Sequence, residues 1–411
     1  MDEIYGVEGF VSDLPGINGR IKDSPEDFVV EEIPAEIQRA DSGKYLILKV
    51  RLREWDTNRF LIELSRQLGV SRKRVTYAGT KDKLAVTTQY FCINTERNAE
   101  FFKAGDAEIL ESFRSNRMIS LGDLIGNRFS VRISGGDDFG DISDAVIPIF
   151  DQVVSRGGFP NFFGPQRFGS IRPNTHTIGK LLVKGEYESA VRKYIYDPDC
   201  DTEYFRIQFD SHNDPVQALK EFPMHLHYER SLLGYIAEHG TAEGAFSNLP
   251  KNLSIMFVHA YQSYLFNRML SLRLRKVGNL SVPLEGDYVM PVDHLFNSAG
   301  DPVKVTSFNL DKLNAMAVQN RVRPLLQLFG YRSEFAKGET GEIEHQVMES
   351  EGVVPGDFFI KGHPELSSTG SRRITSFMPA DFSVSSGSLL AFSLGRGLYA
   401  TSLTREILKK F

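Results

Sequence analysis

Residues 78–89 read Ala78-Gly79-Thr80-Lys81-Asp82-Lys83-Leu84-Ala85-Val86-Thr87-Thr88-Gln89, a polar turn between two strand-like runs. Lys81 and Lys83 place an ammonium group on each side of Asp82, and a nearby opposite charge favours the ionised carboxylate. An ionised, exposed carboxylate suits nucleophilic or acid/base chemistry at a sugar-like carbon. The alternative is a plain connection, because Gly and Asp are both common turn residues.

The segments around this turn alternate strands with amphipathic helices. Strands are predicted at 28–33, 45–52, 75–78, 86–93 and 128–133, the last ending at Gly135-Gly136. A helix begins at Thr57, carries Phe60, Leu61, Leu64 and Leu68 on one face, and ends at Gly69. Asp141 is expected to cap a second helix through Val153. This half of the chain therefore predicts an α+β sheet with helices on one face.

The second half of the chain is predicted to be mainly helical. Residues 157–169 are rich in Gly, Pro and Phe and indicate a domain boundary. Helices are predicted at 177–184, 186–194 and 255–277, strands at 286–291 and 388–394, and a terminal helix at 404–410. The pattern indicates a sheet domain interrupted by a mostly helical insertion, with the last strand returning to the sheet.

Length and composition indicate a two-domain protein of the intracellular type. The 411 residues are 41% hydrophobic and 25% charged, and a chain of this length usually divides into two domains. The start of the sequence is acidic and has no apolar secretory core. No apolar run approaches the ~20 residues of a spanning helix. We therefore predict a cytoplasmic protein that makes no use of a membrane.

Metal, disulfide and nucleotide sites are not predicted. Cys92 and Cys200 are far apart and have no C-x-x-C partner. His225-Leu226-His227 could present two imidazoles on one strand face, which keeps a metal hydrolase open as a weaker alternative. No phosphate-binding G-x-x-x-x-G-K-[ST] motif occurs. We expect neither a metal nor an organic cofactor, and the sequence leaves the oligomeric state open.

Basic residues cluster although the net charge is −5. Net charge is a weak guide to nucleic-acid binding when basic residues are grouped locally. Each group is either an RNA-contacting surface or an ordinary solvated face. The groups are Arg66, Arg72, Lys73 and Arg74; Arg268, Arg273, Arg275 and Lys276; and Arg321, Arg323, Arg372 and Arg373.

Three further blocks combine amide and aromatic side chains, and the first two also contain an arginine. In 126–129, Asn127 could hydrogen-bond a base edge and Phe129 could stack on a base, or both could be structural. In 161–169, Arg167 could pair with a phosphate or a carboxylate, or be a buried structural arginine. The aromatic stripe in 260–267 favours helix packing over base stacking.

The run 79–89 closely resembles the signature of the TruD family of pseudouridine synthases. Five more blocks are similar to that family in the same order: Lys22 with 25–31, then 126–129, then 161–164 with 166–169, then 260–267, and finally 399–401 with Arg405-Glu406. The blocks span nearly the whole chain. The length between Gln166 and Tyr399 is similar to that of archaeal members.

The resemblance implies a pseudouridine synthase core with a mixed, largely antiparallel sheet and an inserted, mostly helical TRUD domain. The catalytic domain would comprise 1–164 and 372–411, and the inserted domain 165–371. The implied activity is isomerisation of the position-13 uridine in tRNA, without a cofactor. An RNA-binding or RNA-folding protein that lost the reaction is the alternative.

The resemblance also assigns roles to individual side chains. It implies that Asp82 is the catalytic aspartate. The residues expected to contact the substrate are Lys22, Phe28, Lys81, Asn127, Phe129, Arg167 and Phe392. The family often carries Leu-Pro-x-Gly after the last of these phenylalanines, whereas here Leu394 is followed by Gly395.

Overall fold

The computed structural model describes residues 2–97, 105–135, 140–385 and 388–411. The strands are β1 Arg20–Ile21, β2 Phe28–Pro34, β3 Tyr45–Arg53, β4 Val75–Tyr77, β5 Val86–Asn94, β6 Ala107–Ser115, β7 Leu124–Ser134, β8 Phe159–Pro160, β9 Tyr288–Pro291, β10 Val303–Lys304, β11 Val322–Leu328, β12 Ser371–Ile374, β13 Ser376–Phe377, β14 Ala380–Ser385 and β15 Leu389–Gly395. The helices are α1 Thr57–Leu68, α2 Ser143–Ser155, α3 Thr175–Val183, α4 Tyr187–Ile195, α5 Tyr204–His212, α6 Pro215–Glu221, α7 His227–His239, α8 Lys251–Val277, α9 Leu310–Val318, α10 Gly338–Glu351 and α11 Ala400–Leu408.

A nine-stranded sheet combines the first third of the chain with its end. Its order is β14-β15-β7-β2-β5-β3-β6, with β1 paired to β7 and β4 paired to β5. β2 and β5 are parallel, and the other pairs are antiparallel. The predicted α+β class with a mixed, largely antiparallel sheet is therefore confirmed.

Helix α1 covers one face of this sheet, as its sequence predicts. The Asp56 side chain accepts the Arg59 N–H at the first turn, and Gly69 ends the helix in the left-handed conformation, with φ 61°. The apolar stripe that begins at Phe60 packs on the alternate side chains of β3. Burying a stripe of this kind supplies most of the stability of such a helix.

The second half of the chain is organised around α8. Helices α3 and α10 pack on it, and so does a four-stranded antiparallel sheet of order β10-β9-β11-β12. Tyr261 and Phe266 of α8 are fully buried, so the aromatic stripe of this helix serves packing, as predicted. The short β8–β13 ladder connects the two halves, and one hydrophobic core runs through both.

Three details differ from the sequence-based expectation, and a fourth cannot be compared. The helix predicted to be capped by Asp141 has Ile142 at its N-cap, although Asp141 Oδ1 still accepts the Ser143 N–H at 2.9 Å. His225 and His227 do not share a strand face, because α7 begins at His227. Gly136, the expected end of a strand, lies outside the described residues. Helix α11 begins at Ala400, four residues before the predicted start.

No helix in the described ranges is both long and apolar enough to cross a membrane. The proposed domain division at 371/372 falls inside β12, which pairs with β11 of the second sheet.

Candidate active site

Asp82 lies in the irregular loop between β4 and β5, where two other segments of the chain contact it. Its Oδ2 accepts hydrogen bonds from Lys22 Nζ and from Gln166 Nε2, the latter at 3.1 Å. Its Oδ1 accepts the Leu84 backbone N–H at 3.1 Å. The side chain is 19% exposed. A half-buried carboxylate with one ion pair and two further donors is held in one orientation, and one edge remains accessible.

The cation beside Asp82 is Lys22 rather than either of the lysines adjacent in sequence. Lys81 Nζ lies 2.7 Å from Glu32 Oε2, and the two side chains are only 5% and 1% exposed. Lys83 is exposed. The expected arrangement, in which the flanking lysines hold Asp82 between them, is therefore wrong. Lys81 instead connects the Asp82 loop to β2 through its ion pair with Glu32.

Lys22 is positioned by an unusual backbone conformation at the end of β1. Its φ of 66° is left-handed, which is uncommon for a residue other than Gly. Strand β1 is fixed to the end of β7 through Arg20 opposite Ser134. The Lys22 ammonium also lies 4.2 Å from the centroid of the Phe28 ring. Lys22 therefore joins the carboxylate to the aromatic part of the site.

Three phenyl rings lie side by side on one face of the sheet. Phe129 of β7 is directly opposite Phe392 of β15, and their rings stack with centroids 5.3 Å apart. The Phe28 ring on β2 meets Phe129 edge-on at 6.1 Å. All three are less than 9% exposed. The sheet register thus brings together residues that lie far apart in the sequence.

Polar side chains lie next to these rings on the same face of the sheet. Asn127 lies opposite Glu32 across the β2–β7 ladder and two residues before Phe129. Asn127 Oδ1 is buried and has no hydrogen-bond donor within the described residues, and the same is true of Gln89 Oε1. Burial raises the pKa of the Glu32 carboxyl, and the charge of Lys81 opposes this shift. Free acceptor atoms beside aromatic rings suit a ligand that offers N–H groups.

A cleft of about 570 Å³ opens beside Asp82 between the two halves of the protein. Lys22 and Thr80 line one side, and Gln166, Arg167 and Tyr399 line the other. Gln166 was not among the residues predicted to form the site, although it belongs to the 161–169 block. The glycine and proline residues around Gln166 were interpreted as a domain boundary, so its contact with Asp82 was not predicted.

Two of the three predicted basic groups contain arginines that are held inside the fold. Arg273 is fully buried and pairs with Asp287 at 2.7 Å, and Arg268 pairs with Glu351. Arg323 is buried and donates to the Ala317 and Val322 carbonyls. The short turn Arg72–Arg74 is not buried. Several of these arginines are therefore structural, which the sequence alone did not distinguish.

No group of three or more His, Cys, Asp or Glu side chains that could hold a metal ion occurs within the described residues.

Comparison with known proteins assigns the chain to a family. The family tRNA pseudouridine synthase D (TruD) matches residues 4–407. The chain belongs to this family. A probable tRNA pseudouridine synthase D of Picrophilus torridus is 48% identical over 98% of this chain and 97% of the relative. The corresponding protein of Thermoplasma volcanium is 49% identical over 94% of this chain and 93% of its own length.

The fold agrees with a solved member of the TruD family. The crystal structure of the putative tRNA pseudouridine synthase D from Methanosarcina mazei matches with a TM-score of 0.84 and 35% identity. The match covers 99% of this chain and 98% of that one. Pseudouridine synthases are isomerases, and this TruD family member is an enzyme of that class.

Proposed function

We propose that the chain converts the position-13 uridine of tRNA to pseudouridine and that Asp82 is the catalytic carboxylate. The observation that carries the proposal is the contact of Asp82 with both Lys22 and Gln166 at the edge of the cleft. The relatives, named as tRNA pseudouridine synthases, support tRNA as the substrate.

The reaction rearranges bonds within one nucleotide. The N1–C1′ bond breaks, a C5–C1′ bond forms, C5 loses its proton and N1 gains one, so the atoms balance without a second substrate. A carboxylate beside the sugar can act in this sequence by attacking C1′, by adding to the base or by removing a sugar proton. Asp82 is suited to each of these roles because its donors fix its position.

The rest of the site would hold the base while it is detached. The target nucleotide has to leave its stack, which costs a few kcal/mol, and a pocket must replace the lost contacts. Phe28, Phe129 and Phe392 provide apolar surface, and Asn127 Oδ1 is free to accept an N–H of the base. The Lys81 ammonium faces Glu32, so its predicted contact with the substrate would require that pair to open.

We also propose the domain division stated above. Residues 1–164 and 372–411 would form the catalytic domain, and 165–371 the inserted TRUD domain. The cleft would then lie where the two meet, since Asp82 and Gln166 come from different domains.

The test of the proposal is the Asp82→Asn variant. We expect the rate of pseudouridine formation to fall by about 10³-fold or more, because an amide is neither a nucleophile nor a base. The product is measured by carbodiimide mapping of a tRNA carrying uridine at position 13, and tRNA affinity should be retained. Asp301→Asn, which changes an exposed carboxylate, is the matched control and should keep full activity.

Three outcomes would count against the proposal. Full activity of Asp82→Asn would remove Asp82 from the chemistry. Absence of product with the wild-type protein, together with tight tRNA binding, would favour the alternative of an RNA-binding protein without catalysis. Product at another uridine only would overturn the assignment of position 13.

A further inference from the structure

Two guanidinium groups lie close to one phenyl ring, that of Phe163, and one of them, Arg167, lines the cleft. The Arg373 Cζ atom lies 4.3 Å from the centroid of the Phe163 ring, and the Arg167 Cζ atom lies 5.6 Å from it. Neither arginine has a carboxylate within ion-pair distance in the described part of the chain. Two neighbouring positive charges therefore lack a partner of opposite sign.

Three other largely buried arginines of this protein do have such partners. Arg273 pairs with Asp287 at 2.7 Å, Arg206 with Glu229 at 2.8 Å, and Arg405 with Asp2 at 2.8 Å. Taking a charge out of water is costly unless it is paired or hydrogen-bonded. Arg323 also lacks a carboxylate, but both of its Nη atoms donate to oxygen acceptors nearby. What matters for Arg167 and Arg373 is therefore how their donors are satisfied.

The two arginines differ in how their donors are used. Arg373 Nε donates to the Asn161 carbonyl at 3.2 Å, and its Nη2 donates to the Asn161 side chain and, at 3.1 Å, to the Gly397 carbonyl. Arg167 Nε donates to Ser263 Oγ at 3.0 Å. The two Nη atoms of Arg167 have no acceptor among the described residues. Arg167 is therefore fixed in place while its planar fork remains open.

The surroundings of Arg167 carry excess positive charge. Burial lowers the pKa of Arg167, and it lowers the pKa of Arg373 to about 10, with a further contribution from the charge of Arg167. The pKa of nearby His259 is also lowered, first by burial and then by Arg167. Both guanidinium groups remain charged at neutral pH, so an anion would be attracted here.

The open fork lies in the cleft that opens beside the Asp82 carboxylate. Arg167 lines the cleft next to Gln166, whose side chain donates to Asp82. Lys22 and Lys410 line the same cleft. Cations distributed along one groove match a ligand with several regularly spaced negative charges, as in a nucleic-acid backbone.

We propose that Arg167 donates both Nη groups to a phosphodiester of the RNA backbone beside the target nucleotide, with Arg373 adding positive charge behind Phe163. A planar guanidinium binds two phosphate oxygens in parallel, which fixes both distance and orientation. This subsite would hold the strand while the base is turned. The inference rests on the proposal that the cleft takes tRNA.

The first test measures tRNA binding in the Asp82→Asn background, where no product forms. The dissociation constant is determined at several salt concentrations for that protein and for the same protein carrying Arg167→Gln. A plot of the logarithm of the association constant against the logarithm of the salt concentration has a negative slope. Losing one phosphate contact should make this slope less steep by about 0.7 to 0.9. Arg167→Lys retains the charge and should restore the slope, although not the full affinity at low salt.

The matched control is Arg192→Gln, which changes an exposed arginine paired with Asp210 at 2.8 Å. It should leave the slope unchanged. An unchanged slope in Arg167→Gln, or an equal change in Arg192→Gln, would overturn the proposal. Thermal unfolding of each variant shows whether it is folded. If Arg167→Gln does not fold, the tRNA affinity of Arg167→Lys at low salt is compared with that of the parent protein instead.

The second test locates the contact on the RNA. Methylphosphonate linkages, which remove one charge each, are placed singly around position 13. One linkage should weaken binding to Asp82→Asn about as much as Arg167→Gln does, and that linkage should have no effect once Arg167 is changed. Competition by inorganic phosphate at constant ionic strength, without any sensitive linkage, would identify a free-anion site and overturn the backbone assignment.

These tests separate the subsite from the activity. A wild-type protein that forms no pseudouridine at position 13 but shows the Arg167-dependent slope and linkage would contradict the proposed function and leave the phosphodiester subsite standing. Normal product formation with no Arg167-dependent binding would contradict the phosphodiester subsite and leave the proposed function standing.

Discussion

The side chains around Asp82 show which contacts a sequence reveals and which it hides. The 78–89 block predicted that Asp82 lies in a loop between two strands, and the structure has that loop between β4 and β5, because Gly and Asp favour turns. The partner of Lys81 was hidden, because Glu32 becomes its neighbour only through the parallel pairing of β2 with β5. The contact of Gln166 with Asp82 depends on how the two halves of the protein pack against each other, and a local sequence pattern does not predict such packing.

The buried Lys81–Glu32 pair predicts strong coupling between two substitutions. Glu32→Gln or Lys81→Met alone leaves a buried charge without its partner and should cost about 3 to 5 kcal/mol. The double variant should cost clearly less than the sum, because both charges are gone. Urea unfolding of the four proteins gives the coupling energy. Simple additivity would mean that the pair does not act as a unit.

Regular elements were predicted well where one face is buried and less well at their ends. Helix α1 and strand β3 each have a clear apolar period and a sheet or helix to cover it. Helix α11 was predicted to begin too late because its first turn, from Ala400, is largely buried and has no side-chain cap at its N-terminus. Ends depend on such tertiary contacts more than on the local sequence.

The close approach of β15 to the loop after β9 predicts that Gly395 cannot be enlarged. A Cβ atom at this position would lie 2.3 Å from the Leu295 carbonyl oxygen, which also accepts the Gly395 N–H. Gly395→Ala should therefore reduce stability by about 1 to 3 kcal/mol, measured by thermal or urea unfolding. Gly140→Ala, where a Cβ meets no atom within 4 Å, is the control. Equal stability of the two variants would contradict the expected clash.

Across the whole molecule, net charge gave little information about where function lies. The chain carries −5 overall, yet cations line the cleft while several arginines of the predicted groups are buried in the fold. Charge sums do not distinguish a structural arginine from an exposed one. Only burial and pairing separate Arg273, which holds Asp287, from Arg167, which keeps free donors.

A buried carboxyl in the second half predicts that stability depends on pH. Burial raises the pKa of Glu344 to about 7, Asp287 acts in the same direction, and Arg372 and Arg273 oppose it. The folded protein therefore binds more protons than the unfolded chain between the ordinary carboxyl value and pH 7, so stability falls as pH rises through that range. Relative to Glu344→Gln, the wild type should lose about 2 to 3 kcal/mol between pH 5 and pH 8.

Urea unfolding of both proteins at the two pH values checks this sign. A wild type that gains stability relative to Glu344→Gln on going to pH 8 would contradict it. The comparison with the variant removes the contribution of all other titrating groups.

The stacking of Phe129 on Phe392 has a consequence for biosynthesis. The two strands that carry them pair directly, but β15 is the last strand of the chain. At about 5 to 20 residues per second, the roughly 260 residues between the two rings take about 13 to 52 s to emerge from a ribosome. Throughout that interval the edge of β7 that later pairs with β15 has no partner strand, and Phe129 lacks the ring on which it stacks.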